Sequence, residues 1–296
     1  MINPGVLVAV YKPLDIDLYE VYSLTMKAQI LALVAVSALL TSCSESDDVG
    51  NLSKGQMNMN YQMPSKGNAT PAPMGGTFLN EPLPADVLAV QLVDQSNHKF
   101  KLSDLKGKTL VITNFLTSCQ EICPMTTVNM RDIAASVDAA ALSKEIEVLE
   151  ITVDPKRDIP SRLSAYQDLF NDNRWSLVTG DAAGITKIWD FFGAPATKEM
   201  MDASEVMPMD WQTGKPNTYD MMHADLVVIV GPDGNWLWLD LGAPKTKSKV
   251  VPPVLNKFLS DKGKKNLISP QEPSWTVDAV LAALGQITGK DIPVAK

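Results

Sequence analysis

The chain has 296 residues, 45% of them apolar, which is enough to bury one good-sized core with extensions to spare. Its balance is acidic, with 26 Lys and Arg against 34 Asp and Glu and a net charge of −8. No basic stretch is dense enough to neutralise a phosphate backbone, so nucleic acid is not an expected partner.

In chain order, residues 1–25 carry Asp15, Asp17 and Glu20 where a leader needs positive charge, and read as a non-native extension. Lys27 then precedes the uncharged apolar run Ala28 to Leu40. That run is shorter than the roughly 20 residues a membrane-spanning helix requires, and suits the core of a signal peptide. It ends in Leu40-Thr41-Ser42-Cys43, which resembles the lipobox of bacterial lipoproteins. The resemblance implies a signal peptide over 26–43 and lipidation of Cys43. It also implies an extracytoplasmic protein, in the periplasm or on the outer cell surface, lipid-anchored to a bacterial membrane. Residues 44–84, rich in Ser, Asn, Gly and Pro, are expected to form a flexible tether. Met57, Met59 and Met63 cluster there; thioethers are soft Cu(I) donors, but a linker that uses methionine is the simpler reading.

The folded domain is expected over 85–290. VLAVQLVDQSNHKFKLSDLKGK reads as a hairpin with its polar turn at Gln95–Lys99, which leaves His98 in solvent. TLVITNFL (109–116) is a continuous β-branched and apolar run, as a strand buried on both faces requires. Pro124 opens a helical pattern, IEVLEITVD (146–154) is a second buried strand, and IPSRLSAYQDLF and AAGITKIWDFFG are the next helices. ADLVVIVGPDGNWLWLDL is a strand, a Pro-Asp-Gly turn and a strand, and TVDAVLAALGQI closes with a helix. An N-terminal hairpin, then β-α-β-α, then β-β-α around a central sheet is the thioredoxin-like order of an α/β fold. Two irregular insertions, about 195–222 and 243–274, interrupt it.

Two of the three cysteines, Cys119 and Cys123, lie in TSCQEICPMTT (117–127), between the first buried strand and a helix N-terminus. The partial positive charge and free N–H groups of such a terminus favour thiolate over thiol. A redox pair and a metal clamp both fit; a structural disulfide would more often tie distant segments together.

FLTSCQEICPMTT resembles the Cys-x-x-x-Cys-Pro signature of the Sco/SenC family of thioredoxin-fold copper proteins. ITVDPKRDIPSRLSAY, RWSLVTG and HADLVVIVGPDGNW resemble three further blocks of that family, in order. The resemblance implies a copper site, Cu(I) or Cu(II), held by Cys119, Cys123 and His223. It also implies a role in assembling cytochrome c oxidase by delivering copper to its dinuclear copper centre. Two thiolates and an imidazole suit copper in either oxidation state. Implied partners are the oxidase's copper-centre subunit or another extracytoplasmic copper protein, a thiol reductant, and the lipid bilayer. The chain departs from the family at Met222 and Ala224, where an Asp and a Ser usually flank the histidine, so Asp225 or Asp220 is expected to orient the imidazole. Gln120 in place of the common Pro implies a looser loop.

On this reading the protein is a metal carrier rather than an enzyme. The alternative is a thiol–disulfide oxidoreductase in which Cys119 and Cys123 reduce a partner's cysteines before metal arrives. Such reductases keep a cis-proline before the strand that faces the cysteines; no proline stands between Pro216 and Pro232, which favours the metal. Met200, Met201, Met207 and Met209 lead toward Met221, Met222 and His223. They read as loop packing, with transient Cu(I) contacts as the alternative. In DPKRD, Arg157 and Asp158 are expected to pair and cap the helix that Pro160 starts, with Asp154 near enough to tune the cysteine turn.

Overall fold

A computed structural model describes residues 69–202, 207–247 and 251–295, and these fall in one compact unit. The expected extension and signal peptide, Cys43, and Met57, Met59 and Met63 lie outside the described residues. The elements begin with β1 (Thr70–Pro71), β2 (Thr77–Pro82), a helical turn α1 (Ala85–Leu88), β3 (Gln91–Asp94) and β4 (Lys99–Lys101). The middle of the chain gives β5 (Thr109–Phe115), α2 (Cys123–Ala139), β6 (Ile146–Thr152), α3 (Pro160–Asp168), β7 (Ser176–Gly180) and α4 (Ala182–Phe191). Then come β8 (Thr197–Met200), β9 (Tyr219–Met222), β10 (Leu226–Val230), β11 (Asn235–Leu241) and β12 (Ala243–Lys245). The chain closes with α5 (Pro253–Phe258), α6 (Asp261–Ile268), β13 (Ser274–Thr276) and α7 (Val277–Thr288).

The large sheet runs β1-β2-β11-β10-β5-β6-β7-β3-β4. β5, β6 and β7 are parallel, β10 joins β5 antiparallel, and β11 pairs antiparallel with β10. All seven residues of β5 are buried, which is why its sequence is mostly β-branched and apolar rather than an alternation; Asn114, the exception, donates to the Ala224 carbonyl at 2.6 Å. α2 packs on β5 and β6 and meets α7, while α3 and α4 pack against β7. This is the thioredoxin-like α/β order the sequence implied, with β5 leading directly into the cysteine turn and α2.

Three expectations change. Residues 70–82, assigned to a flexible tether, form β1 and β2, and β2 pairs with β11. A strand that adds to an existing edge is held by backbone hydrogen bonds and needs little apolar pattern of its own. Gly76 permits the approach: a Cβ there would lie 2.4 Å from the Trp238 ring and 2.5 Å from the Leu239 carbonyl oxygen. A further strand, β7, separates α3 from α4 in the sheet. The two irregular insertions are also structured: β8 pairs with β9, β12 runs parallel to β13, and α5 and α6 lie between the latter pair. No helix among the described residues is long and apolar enough to cross a membrane.

Candidate functional site

β5 ends at Phe115 and α2 begins at Cys123, so the intervening turn presents both thiols at a helix N-terminus. Ile122 at the N-cap supplies no side-chain acceptor. The Cys119 sulfur takes that place, accepting from the backbone N–H groups of Glu121 at 3.5 Å, Ile122 at 3.4 Å and Cys123 at 3.4 Å. A hydrogen bond from the Cys123 thiol, helped by those N–H groups, lowers the Cys119 thiol below the ordinary range despite its burial. Cys123 is 1% exposed, and burial together with its neighbour Cys119 pushes its thiol well up. Both cysteines are free. They form an asymmetric pair: one half-buried sulfur biased toward thiolate and one sequestered thiol behind it.

The turn is clamped from three directions. On the first side, Thr117 donates from its amide to Asp158 at 3.1 Å and from its hydroxyl to the same carboxyl at 2.5 Å. Thr152 at the end of β6 also donates to Asp158, at 2.6 Å. Arg162 on α3 donates to the Thr117 hydroxyl at 2.5 Å and to Asp210 at 2.5 Å, tying the first insertion to the turn. Burial pushes the Asp210 carboxyl up, but the Arg162 guanidinium and the Thr213 amide and hydroxyl outweigh it and bring it to about 2. The expected Arg157–Asp158 pair and helix cap do not form. Asp158 faces inward to the cysteine turn, and Arg157 instead pairs with Asp154 and donates to the Tyr219 carbonyl at 2.9 Å. Tyr219 returns a hydrogen bond to Asp154 at 3.1 Å. The Asp154–Arg157 pair therefore pins the start of β9, four residues before His223.

On the second side, the Gln120 side chain reaches the Met209 carbonyl at 3.3 Å. On the third, the second insertion closes over the turn. Ser260 donates its backbone N–H to the Gln120 carbonyl at 3.0 Å, Asn266 donates to the Glu121 carbonyl at 3.2 Å, and Lys262 pairs with Glu121 at 2.6 Å. Gln120, the residue in place of the family's common Pro, is thus held through both its backbone and its side chain. Gly263 in α6 is the tightest point, because a Cβ there would sit 2.1 Å from the Gln120 carbonyl oxygen. Gly263→Ala is therefore expected to displace the turn while sparing the sheet. Alkylation of Cys119 should change rate several-fold, with thermal stability lowered by about 1 to 3 kcal/mol, the usual cost of overpacking.

His223 follows β9 and faces a pocket of about 250 Å³ that Cys119 also lines. Its Nδ1 lies 3.2 Å from the Ala224 carbonyl oxygen and 3.9 Å from the Asp225 carboxylate. Asp225, rather than the exposed Asp220, is the carboxyl beside the imidazole. Burial raises it and His223 lowers it, with a net rise. Cys119 and His223 share the pocket and Cys123 lies directly behind Cys119. Even so, no three His, Cys, Asp or Glu side chains among the described residues already stand within common reach of an ion. His98 sits at the exposed β3–β4 turn. Of the four methionines singled out in 200–209, only Met201 lines the pocket, and Met221 and Met222 line it as well.

Sequence reasoning missed Thr117, Arg162, Asp210, Gly263 and Asn266. Each acts through a partner far along the chain, so no local pattern marks it.

The SCO1/SenC family model matches residues 87–250, more than half of the chain. The chain belongs to the SCO1/SenC family. Within that family it is 27% identical over 146 residues to a Stutzerimonas stutzeri protein provisionally named for copper binding, covering 49% of this chain and 64% of that one. It is 26% identical over 167 residues to the SCO1 protein homolog of Bacillus subtilis strain 168, covering 55% of this chain and 77% of the relative. Among solved structures it resembles copper-bound ScoI of Bradyrhizobium japonicum, with 23% identity, a TM-score of 0.42 and coverage of 57% of this chain and 97% of that one. This SCO1/SenC chain thus spans less than two thirds of the first of these relatives. The match covers β3 to β12 and the cysteine turn, and leaves β1, β2 and most of the second insertion outside it.

Proposed function

We propose that this SCO1/SenC protein carries copper, with Cys119, Cys123 and His223 as its ligands. The observation that carries the reading is a single pocket holding an imidazole and a cysteine sulfur already biased toward thiolate, with a second thiol in contact behind it. Copper here is cargo. Two sulfurs and an imidazole form a soft donor set that matches Cu(I) and tolerates Cu(II), leaving a net charge of −1 or 0 on the site. Since the three donors do not yet share one ion, loading would draw His223 toward the turn. The recipient we infer is the dinuclear copper centre of cytochrome c oxidase, or another extracytoplasmic copper protein. Cys43 would serve as the lipid anchor that keeps the carrier at a membrane surface.

The test is an anaerobic Cu(I) titration of the reduced full chain against a competing chelator, with Cys43→Ser in every sample so that only two thiols remain. One copper per chain is expected. His223→Ala should weaken it by roughly 100-fold or more, since even groups that merely orient a ligand are worth 10- to 100-fold. Binding that ignores His223 would overturn the three-ligand site.

One observation favours a second reading. Two free thiols in contact, biased in opposite directions, are what a thiol–disulfide exchanger uses. The Cys119 thiolate would attack a partner disulfide and form a mixed disulfide. Cys123, losing its proton, would then resolve it, leaving the partner with two thiols and this chain with a Cys119–Cys123 bond. A thiol reductant would restore the pair. A partner-reduction rate unaffected by His223→Ala would favour this role.

A further inference from the structure

The pocket that holds Cys119 and His223 is also lined by three methionines, Met201, Met221 and Met222. They arrive there by a specific route. β8 and β9 pair antiparallel with Thr197 opposite Met222 and Lys198 opposite Met221, and the Met201 amide donates to the Thr218 carbonyl at 3.0 Å just past the end of the ladder. The hairpin that positions His223 thus delivers three thioethers to the same cavity. Met222 is 43% exposed, and Met201 and Met221 are only partly buried, with Met221 also packing against the core. All three line the pocket that Cys119 and His223 also line. Thioether sulfur is uncharged, polarizable and selective for soft monovalent ions over the hard cations of the surrounding medium.

We propose that Met201, Met221 and Met222 form an entry site that captures Cu(I) and passes it to the cysteine–histidine site. This rests on the copper reading above. The transfer is ligand exchange without change of oxidation state: Cu–thioether bonds break as Cu–thiolate bonds form, and the thiol protons leave to water. The departure of the chain from its family at position 222, where an Asp usually stands, becomes a gain of a soft donor at the mouth of the pocket. Three neutral thioethers bind more weakly than two thiolates, so the ion moves downhill toward Cys119 and Cys123.

The experiment uses the full chain with Cys43, Cys119 and Cys123 all replaced by Ser, titrated anaerobically with Cu(I), and in parallel with Ag(I) while the methionine methyl carbons are followed by NMR. A weak site for one ion is expected, with the methyl signals of these three residues shifting. Met201→Leu, Met221→Leu and Met222→Leu together, which conserve volume, should weaken it by roughly tenfold or more. In the chain that keeps Cys119 and Cys123, the same three substitutions should slow loading by a similar factor, and by more than they weaken equilibrium Cu(I) affinity. Absence of Cu(I) binding by the triple-serine chain would overturn the entry site and leave the copper reading standing. A loading rate unaffected by the leucines would do the same. Failure of the cysteine-containing chain to bind Cu(I) at all would overturn both.

Discussion

Asp158→Ala is expected to destabilise the fold by about 3 to 5 kcal/mol, the range for removing one partner of a buried charged network. Asp158 is fully buried and accepts from the Thr117 amide, the Thr117 hydroxyl and the Thr152 hydroxyl, with the Arg162 guanidinium 3.6 Å away. Alanine would strand three donors without water to replace the carboxyl, and would leave Asp210 as the carboxylate that pairs with Arg162. Asp158→Asn keeps an acceptor oxygen of the same shape and is expected to recover part of the loss. The denaturant midpoint measures this. A second readout separates the site from the scaffold: Thr117 stands two residues before Cys119, so freeing its amide loosens the turn. The pH profile of Cys119 alkylation should then move up toward an ordinary thiol. A variant that loses stability while keeping the native thiol profile would show that Asp158 supports the sheet alone.

The second large effect is a pH dependence centred on Glu150. This residue lies on β6, is fully buried, and receives one hydrogen bond, from Thr127 of α2 at 2.9 Å, while its other carboxyl oxygen has no partner. Burial, partly offset by the Thr127 hydroxyl and the nearby Trp175 indole, raises its pKa to about 8, against 4.5 when unfolded. A carboxyl raised on folding holds its proton in the native state after the unfolded chain has lost it. Its contribution is therefore complete below about pH 4.5 and is lost as pH rises through about 8. At 1.36 kcal/mol per pH unit the whole window is worth about 5 kcal/mol at most. Glu150→Gln, neutral at every pH, should match the native chain near pH 4.5 and exceed its stability at pH 9. The difference between the two denaturation curves isolates this group, because all other titrations are common to both. Parallel curves across pH 5 to 9 would mean that Glu150 ionises at its ordinary value in the folded state.

Glu150 also shows what a sequence hides. In IEVLEITVD it is the second acid of a strand read as buried, and nothing in that local pattern says what its carboxyl meets. Only the placement of α2 above β6 buries it.

The same division runs through the site. Three features were legible in the sequence because each is written in adjacent residues. The β-branched and apolar run of β5, with no alternation of polar and apolar residues, requires cover on both faces. The two cysteines beside Pro124 mark a helix N-terminus, which the structure places at Cys123. His223 stands immediately before β10, within a block whose strand–turn–strand pattern is local. Where a pattern was local but its partner was not, the reading failed: Arg157 and Asp158 are neighbours in sequence yet face Asp154 and Thr117.

By itself the sequence determined the thioredoxin-like core order, the buried strands β5, β6, β10 and β11, and the placing of both thiols at a helix start. Burial leaves a periodicity of two or 3.6 along a single segment, and a thiol at a helix terminus depends only on the residues of that turn. The tertiary structure alone decided what fixes the turn and completes the pocket: the Asp210 contact to Arg162, the close approach of Gly263 to Gln120, and the β8–β9 hairpin that carries three methionines beside His223. These contacts join segments up to some 140 residues apart. They follow from how loops close between elements, and loop closure imprints no periodicity on the residues that meet.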